Sequence, residues 1–440
     1  MADHPAGPAR CTGPAVEAGT ACPAPDLAAL DLDLVDRIDG PIGLAVSGGS
    51  DSVALALLLT EARPTRDFTL LTVDHGLRAE AAAECAAVAA LAARLGRPCI
   101  ILRVTGTPRG SVQAWAREAR YGLFAEAAAA HGLAAVATGH TMDDQAETLL
   151  MRLARGSGLR GLGAMRPDTR HHGVRIVRPL LSLRREALRQ MLHARGVTWT
   201  DDPSNADPAY ERIAMRRLAA PLATAGLTPE SLAAAAAHLA RASAFVDGEA
   251  EALLQRCVRT ARTGGLAVDR ALWCAAHEEV RLRALAHAVA VTGGSAAPPA
   301  FATLAEADRV IAAGGTTTLG RVVVRSNARA AQIWRERRGI VPVTLAPGAT
   351  AEFDGRYRVT AAQDGAPVRV AAAGPAARRW VCPADIPAAA ETMPALFDAS
   401  GLAAYPLIGV RRRDWPQLSV VVEPLREAAR FGPLRYITGQ

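Results

Sequence analysis

Not one lysine occurs among the 440 residues, so all 50 fixed side-chain cations are arginines. That absence excludes a Walker A loop, whose lysine reaches the terminal phosphates, and any Schiff-base chemistry that needs a lysine amine. Cysteine is sparse and unpatterned: Cys11, Cys22, Cys85, Cys99, Cys257, Cys274 and Cys382 are odd in number, scattered and free of any Cys-x-x-Cys pair. The pattern argues against a zinc or disulfide framework and for a reducing compartment. No apolar stretch approaches about 18 residues without a charge or a helix breaker, so no membrane span and no membrane partner are expected. Residues 1 to 25 mix Pro, Gly, Ala, Cys and acids without an apolar signal core, and Arg10 is their only arginine. They read as a loose extension rather than a secretory or transit signal, and the chain as a cytoplasmic protein.

Half of the residues are apolar and 21% are charged, enough to bury a sizeable core, and the length suits two or three domains. From Ile42 short apolar runs alternate with long Ala-rich ones. Strands are expected at Ile42 to Val46, Phe68 to Val73, Cys99 to Val104 and Ala134 to Thr138, with helices at 52 to 62, 79 to 95 and 111 to 131. Strand-helix alternation with right-handed crossovers predicts an α/β fold with a doubly wound parallel sheet, and ligands in such sheets sit beyond the carboxyl ends of the strands. Between 152 and 217 there are 14 arginines and 6 acids, an excess of +8 in a chain of net charge +7, so the positive charge is concentrated there. Residues 208 to 262 and 277 to 291 read as helices. Beyond Gly315 short Val/Thr/Arg alternations such as Leu319 to Arg325 and Val341 to Leu345 read as a small β-rich part, with 364 to 390 as a Pro/Ala/Gly-rich linker. The expected domains are 26–217, a helical 218–315 and a β-rich 316–440, after the extension at 1–25.

The run Ser47-Gly48-Gly49-Ser50-Asp51-Ser52 follows the first strand and opens a helix. Two glycines let the backbone turn tightly and approach an anion, the serines add hydroxyls, and the helix N-terminus adds its dipole. The combination forms a phosphate cradle without lysine. Asp51 beside a phosphate implies a cation between them, hence magnesium. The plainer alternative is a Ser/Asp-capped helix after a glycine turn.

This run resembles the pyrophosphatase-type loop of the ATP-dependent adenylating enzymes, which cleave ATP between the α and β phosphates, transfer AMP to a substrate oxygen and let a nucleophile displace it. Further runs narrow the likeness: Val73-Asp74-His75-Gly76-Leu77-Arg78, Ala116-Arg117-Glu118-Ala119-Arg120-Tyr121, Gly139-His140-Thr141-Met142-Asp143-Asp144-Gln145-Ala146-Glu147, Arg155-Gly156-Ser157-Gly158-Leu159-Arg160 and Asp201-Asp202-Pro203-Ser204-Asn205-Ala206-Asp207. Together, from about 42 to 217, the chain resembles the tRNA(Ile)-lysidine synthetases. The resemblance implies an adenine nucleotide alpha hydrolase-like fold and two cofactors, ATP and Mg2+. It implies a CAU-anticodon tRNA(Ile) and free L-lysine as partners, and leaves a homodimer open. The reaction implied is adenylation of the wobble cytidine and displacement of AMP by lysine. Carried over residue by residue, it implies catalytic roles for Asp51, Asp144, Glu147, Arg120 and Arg212, and ATP binding by Ser47 to Ser52, Asp74, His75 and Arg117. It also implies tRNA contacts by Arg160, Arg212 and Arg216, and metal binding by Asp51 and Asp143. Arg212 is followed by Ile213 where the family pattern has an asparagine.

Physical reasons stand beside the likeness. Asp144 and Glu147 lie i, i+3 and Asp143 and Glu147 i, i+4, so a helix starting near Thr141 puts them at its first turns, where they could hold magnesium or a lysine ammonium. Acids there also complement the helix dipole for about 0.3 to 1 kcal/mol each, and Thr141 could simply be a cap. Arg117 and Arg120 could clamp phosphates or form a solvated face. His75 and His140 each follow a strand end, where a substrate contact competes with a structural role, whereas His171-His172 falls in a loop. The arginine-rich segment fits RNA. Two other functions are less well matched. A thiolating relative needs cysteines near the site, and Cys85 and Cys99 fall in a helix and at a strand start. A binder that had lost its chemistry would not need Asp51, Asp144 and Glu147 together.

Overall fold

The computed structural model describes residues 29–76, 81–105, 112–200, 211–295, 299–363, 366–383, 385–412 and 420–425. The chain divides into two compact units, Met1–Arg241 and Ala242–Gln440. The first contains α1 (Leu32–Asp36), β1 (Ile42–Ala45), α2 (Ser50–Ala62), β2 (Phe68–Asp74), α3 (Ala81–Arg94), β3 (Cys99–Arg103), α4 (Val112–His131) and β4 (Ala135–Thr138). It continues with α5 (Met142–Ala154), α6 (Leu159–Leu162), β5 (Asp168–His171), β6 (Val174–Val177), α7 (Arg185–Ala194), α8 (Glu211–Thr224) and the start of α9 (Pro229–Cys257). All four expected strands form within a residue of their anticipated bounds, and the three expected helices within two.

The sheet runs in the order β3-β2-β1-β4-β6-β5, parallel throughout except for the β5–β6 hairpin at its edge. Parallel strands buried on both faces read as apolar runs, and adjacent residues part to opposite sides. Leu44 and Leu70 pack with Val53, Leu55, Val88 and Leu188 on one face. Leu71, Val136 and Ile176 pack with Tyr121 and Phe124 of α4 on the other. The strand order reverses between β1 and β4, and α2 and α5 both begin at the carboxyl ends of that pair. Such a switch point opens a crevice.

The edge hairpin corrects one expectation. His171 is the last residue of β5 rather than part of a loop, and its ring stacks on Tyr121 with centroids 4.4 Å apart. The turn that makes this possible is His172-Gly173, with φ of 47° and 83°, the paired left-handed conformation of a tight hairpin.

In the second unit β7 (Val258–Thr260), β8 (Leu266–Asp269), α10 (Arg270–Cys274), α11 (Glu278–Gly293), α12 (Phe301–Ala313), β9 (Gly315–Leu319), β10 (Val322–Ser326) and β11 (Ala330–Arg335) build a sheet ordered β7-β8-β11-β10-β9. Leu285, Val289 and Ile311 of the helices share one core with Val324 and Ile333 of the strands. A boundary at 315/316 would cut that core, and the division falls instead at Arg241/Ala242. The stretch Leu319 to Arg325 is a hairpin rather than one strand, because Gly320 and Arg321 turn at φ of 53° and 69°. The rest is β12 (Val343–Leu345), β13 (Thr350–Phe353), β14 (Tyr357–Ala361), β15 (Val368–Ala372), α13 (Pro387–Ala390), β16 (Pro394–Asp398), β17 (Gly401–Tyr405), β18 (Val410–Arg411) and β19 (Val420–Pro424). They form a five-stranded and a three-stranded sheet. Residues 364–390, expected as a linker, hold β15 and α13, since Val368 and Val370 are buried in this core. Among the described residues no helix is long and apolar enough to cross a membrane.

Candidate functional site

Between β1 and α2 the chain turns through Gly48, whose φ of +87° is left-handed, into Gly49, the helix N-cap. The turn is sewn by Ser52. Its hydroxyl accepts from the Ser47 N–H at 3.1 Å and donates its single proton to the Gly49 carbonyl at 2.9 Å. Ser52, expected among the phosphate donors, therefore holds the loop's shape. With the Ser52 proton committed, the Ser47 hydroxyl donates to Ser52 Oγ at 3.3 Å, and the backbone N–H groups of the first turn of α2 are the donors such a loop offers an anion. The Thr200 N–H donates to the Gly48 carbonyl at 3.0 Å and closes the turn from outside. Gly139, directly after β4, lies against the same turn: a Cβ there would sit 2.9 Å from the carbonyl carbon and oxygen of Asp51 and 3.0 Å from the Ser52 nitrogen. Only glycine lets the end of β4 approach the first turn of α2 so closely.

That approach brings α5 beside α2. Thr141 caps α5, and Asp144 accepts from both its N–H and its hydroxyl through Oδ2 at 2.9 Å. The capping role and the site role thus fall on different oxygens of one carboxylate, because Oδ1 faces Arg185. The Arg185 guanidinium gives each of its nitrogens to a different acid: Nε to Asp51 at 2.8 Å, Nη2 to Asp144 at 2.9 Å and Nη1 to Glu147 at 3.3 Å. Arg216 of α8 also donates to Glu147, from Nε at 2.6 Å. The cluster is largely withdrawn from water, with the Asp144 and Glu147 side chains 7% and 8% exposed. Burial raises the Asp51 carboxyl above its ordinary range, and the Asp144 charge adds to this against the pull of Arg185. Burial alone would lower Arg185, but Asp144, Asp51 and Glu147 together hold its guanidinium well above its usual value.

Asp143 has different partners from these three. Its two oxygens accept from Arg184, and Oδ2 also takes the Arg185 N–H at 2.7 Å. Arg184 in turn reaches Glu230 of α9. A magnesium ion shared by Asp51 and Asp143 does not fit this arrangement, since the two carboxylates are committed to different guanidiniums. Among the described residues no three His, Cys, Asp or Glu side chains converge as a metal site, and an ion carried by a triphosphate needs only one or two carboxylates.

The other expected residues are placed less centrally. Asp74 ends β2, and its Oδ1 accepts the Gly76 N–H at 2.9 Å, with His75 between them. Arg117 and Arg120 lie on α4 with their guanidinium carbons 5.1 Å and 5.9 Å from the Tyr121 ring centre, beside β5 rather than in the carboxylate cluster. Burial, then the charges of Arg117 and Arg178, lower the pKa of His171 on that face. His140 Nδ1 is 2.8 Å from the Thr138 hydroxyl. Arg160 is exposed on α6. Arg216, expected on tRNA, spends its guanidinium on Glu147. The Arg212 side chain and the run Asp201 to Asp207 lie outside the described residues. A cleft of about 110 Å³ opens between α5, α8 and the start of α9, lined by Asp143, Glu147, Arg185 and Arg216 together with apolar side chains such as Leu150 and Leu222.

Sequence reading missed Arg185 because Arg184-Arg185 is one pair among 14 arginines in the basic segment. Its one signal is position: a cation in the first turn of a helix opposes the dipole and needs a local reason.

A PP-loop domain model matches residues 31–223. The tRNA(Ile)-lysidine synthase of Ruegeria pomeroyi is 39% identical over 375 residues, covering 84% of this chain and 89% of that protein. The enzyme of the same name from Methylobacterium nodulans is 46% identical over 262 residues, 59% of this chain and 77% of that one. That from Rhizobium meliloti is 39% identical over 361 residues, 77% of this chain and 76% of its own length. With a lysine-free glycine loop and an acidic cluster at the switch point of its sheet, the chain belongs to the tRNA(Ile)-lysidine synthase family.

Proposed function

We propose that the chain ligates lysine to carbon 2 of the wobble cytidine of a CAU-anticodon tRNA(Ile), using ATP. The cytidine O2 attacks the α phosphorus and pyrophosphate leaves. The lysine ε-amine then adds to carbon 2, and AMP departs with that oxygen as the amine sheds its proton. The loop of Ser47 to Asp51 cradles the phosphates with backbone donors, a preorganised positive end facing the charge that develops on the departing pyrophosphate.

The observation that carries this reading is the convergence of Asp51, Asp144 and Glu147 beside that loop. Three carboxylates meet two guanidiniums, Arg185 and Arg216, which leaves one negative charge and suits one primary ammonium. The adjoining cleft, lined by charged side chains of both signs and by apolar ones, fits a cation on a methylene chain. Arg216 then belongs to the lysine end of the site more than to the tRNA surface. Arg117, Arg120 and Arg212 are assigned to phosphate and nucleotide contacts. Arg160 and the excess of +8 over residues 152–217 are assigned to the tRNA backbone, where arginines neutralise phosphates whatever the sequence. The cytoplasm, where tRNA and free lysine meet, is the expected compartment. The test is AMP release from ATP: it should require both lysine and the CAU transcript, and release that is absent with both present, or equal with a GAU transcript, removes the assignment.

A further inference from the structure

We propose that Arg185 is a positioning residue for the ligation, the side chain that holds the phosphate loop and the amine-receiving carboxylates in register. The inference rests on the functional reading above and adds a residue to it. One planar guanidinium reaches across from α7 and ties Asp51 of α2 to Asp144 and Glu147 of α5, with a separate nitrogen for each. No other side chain among the described contacts spans both helices. Its backbone is fixed as well, since the Arg185 N–H donates to Asp143 and the neighbouring Arg184 ties Asp143 to Glu230. One turn further along α7, Arg189 Nε reaches the Ser50 hydroxyl of the loop at 3.3 Å while its guanidinium lies near the Trp199 ring. The start of α7 is thus a third wall that touches both halves of the site independently.

A purely stabilising role explains this poorly. Three buried carboxylates around one cation are a weak way to stabilise a fold, because desolvation offsets much of the attraction. Without the guanidinium, like charges on α2 and α5 would repel and the two helix starts would separate. Lysine could not replace it, since a single ammonium cannot present three coplanar donors in a fixed fork.

The test uses the full chain and four variants. R185A should release AMP about 100-fold more slowly than wild type, the scale of a misplacement near 1 Å. Its gel-shift affinity for the CAU transcript should hold. R185K should stay at least about tenfold impaired despite its charge. Millimolar guanidinium chloride, far below denaturing levels, should recover about tenfold in R185A and nothing in E147A. R195A, which removes only the surface partner of Glu61 at the other end of α7, should behave as wild type. A folded R185A within about twofold of wild type, or a fully active R185K, overturns the proposal. If R185A does not fold, R185K alone decides. A wild-type protein that releases no AMP with lysine and transcript refutes the ligase reading instead. ATP affinity then still reports on Arg185: it should weaken about tenfold in R185A, and equal affinity overturns the positioning role.

Discussion

Substituting Gly139 by alanine adds one methyl group between the two halves of the site. It tests whether their close approach is what makes the site. The new Cβ would stand 2.9 Å from the Asp51 carbonyl carbon and oxygen and 3.0 Å from the Ser52 nitrogen, where ordinary contact begins at 3.4 Å. The obstacle is backbone on both sides, so no side-chain rotation relieves it, and the head of α2 must move away from β4 by roughly half an ångström. Overpacking of this kind costs about 1–3 kcal/mol of stability, readable as an earlier midpoint in urea unfolding. The larger effect should be on turnover, because the shift separates Asp51 from Asp144 and Glu147 and moves the loop against the nucleobase. A loss of about ten- to 100-fold in AMP release is expected, mainly in kcat. Gly139 does not have a positive φ, so alanine brings no dihedral penalty and the effect is purely steric. Gly48→Ala is the complementary case: its Cβ meets nothing closer than the Thr200 hydroxyl at 3.8 Å, but its φ of +87° costs about 1–2 kcal/mol in a non-glycine residue. G139A with wild-type stability and turnover would refute the claim that this contact sets the site.

Three further predictions follow from the charges. Glu147→Gln leaves Arg185 and Arg216 each short of an ionic partner, and should raise the lysine KM by about ten- to 100-fold in steady-state AMP release while tRNA affinity stays level. Arg216→Ala removes a positive charge beside Glu147, so unlike E147Q it should leave the lysine KM level or lower it, and it should leave the salt dependence of tRNA binding unchanged, whereas Arg160→Ala should weaken tRNA binding and reduce the slope of log affinity against log salt by about one. Asp51→Asn should abolish turnover yet match or exceed wild-type thermal stability at neutral pH. Because the folded state raises the Asp51 pKa, chiefly by burial, its ionised form is the disfavoured one. The penalty is absent in acid, below the unfolded value of 3.8, and appears as pH rises through the folded value, so the gap in Tm between D51N and wild type should open in that direction. A gap that closes toward neutral pH would contradict the assignment.

The nucleotide-binding sheet was legible because its signals are local. Each of its first four strands is a short apolar run, buried in β1, β2 and β4 and partly exposed in the edge strand β3, and each is followed by a turn or polar residue before a helix. The glycine loop and the Asp143-Asp144-Glu147 spacing were legible for the same reason, since backbone geometry and helical periodicity carry them. The β5–β6 hairpin was hidden because its turn is His172-Gly173 rather than the commoner Asn-Gly or Asp-Gly. The domain boundary was hidden because α11 and α12 share a core with β9 to β11, and that pairing is tertiary. Arg185 was hidden because its partners lie 134, 41 and 38 residues away along the chain. Nothing in local sequence separates it from an arginine facing RNA, and the same holds for Arg216 on Glu147. Asp143 was named as a metal ligand from the family resemblance, and nothing in local sequence shows that Arg184 answers it.

The central claim is that the lysine-free turn at the head of α2 presents ATP so that a base oxygen of the tRNA takes its α phosphoryl group. It is tested most directly with ATP radiolabelled at the α phosphate, incubated with the protein and the CAU transcript before any lysine is added. Label should become bound covalently to the transcript and be chased into free AMP when lysine arrives, with both events slower in G139A. Label that never leaves the nucleotide, or AMP that forms without the transcript, would contradict it.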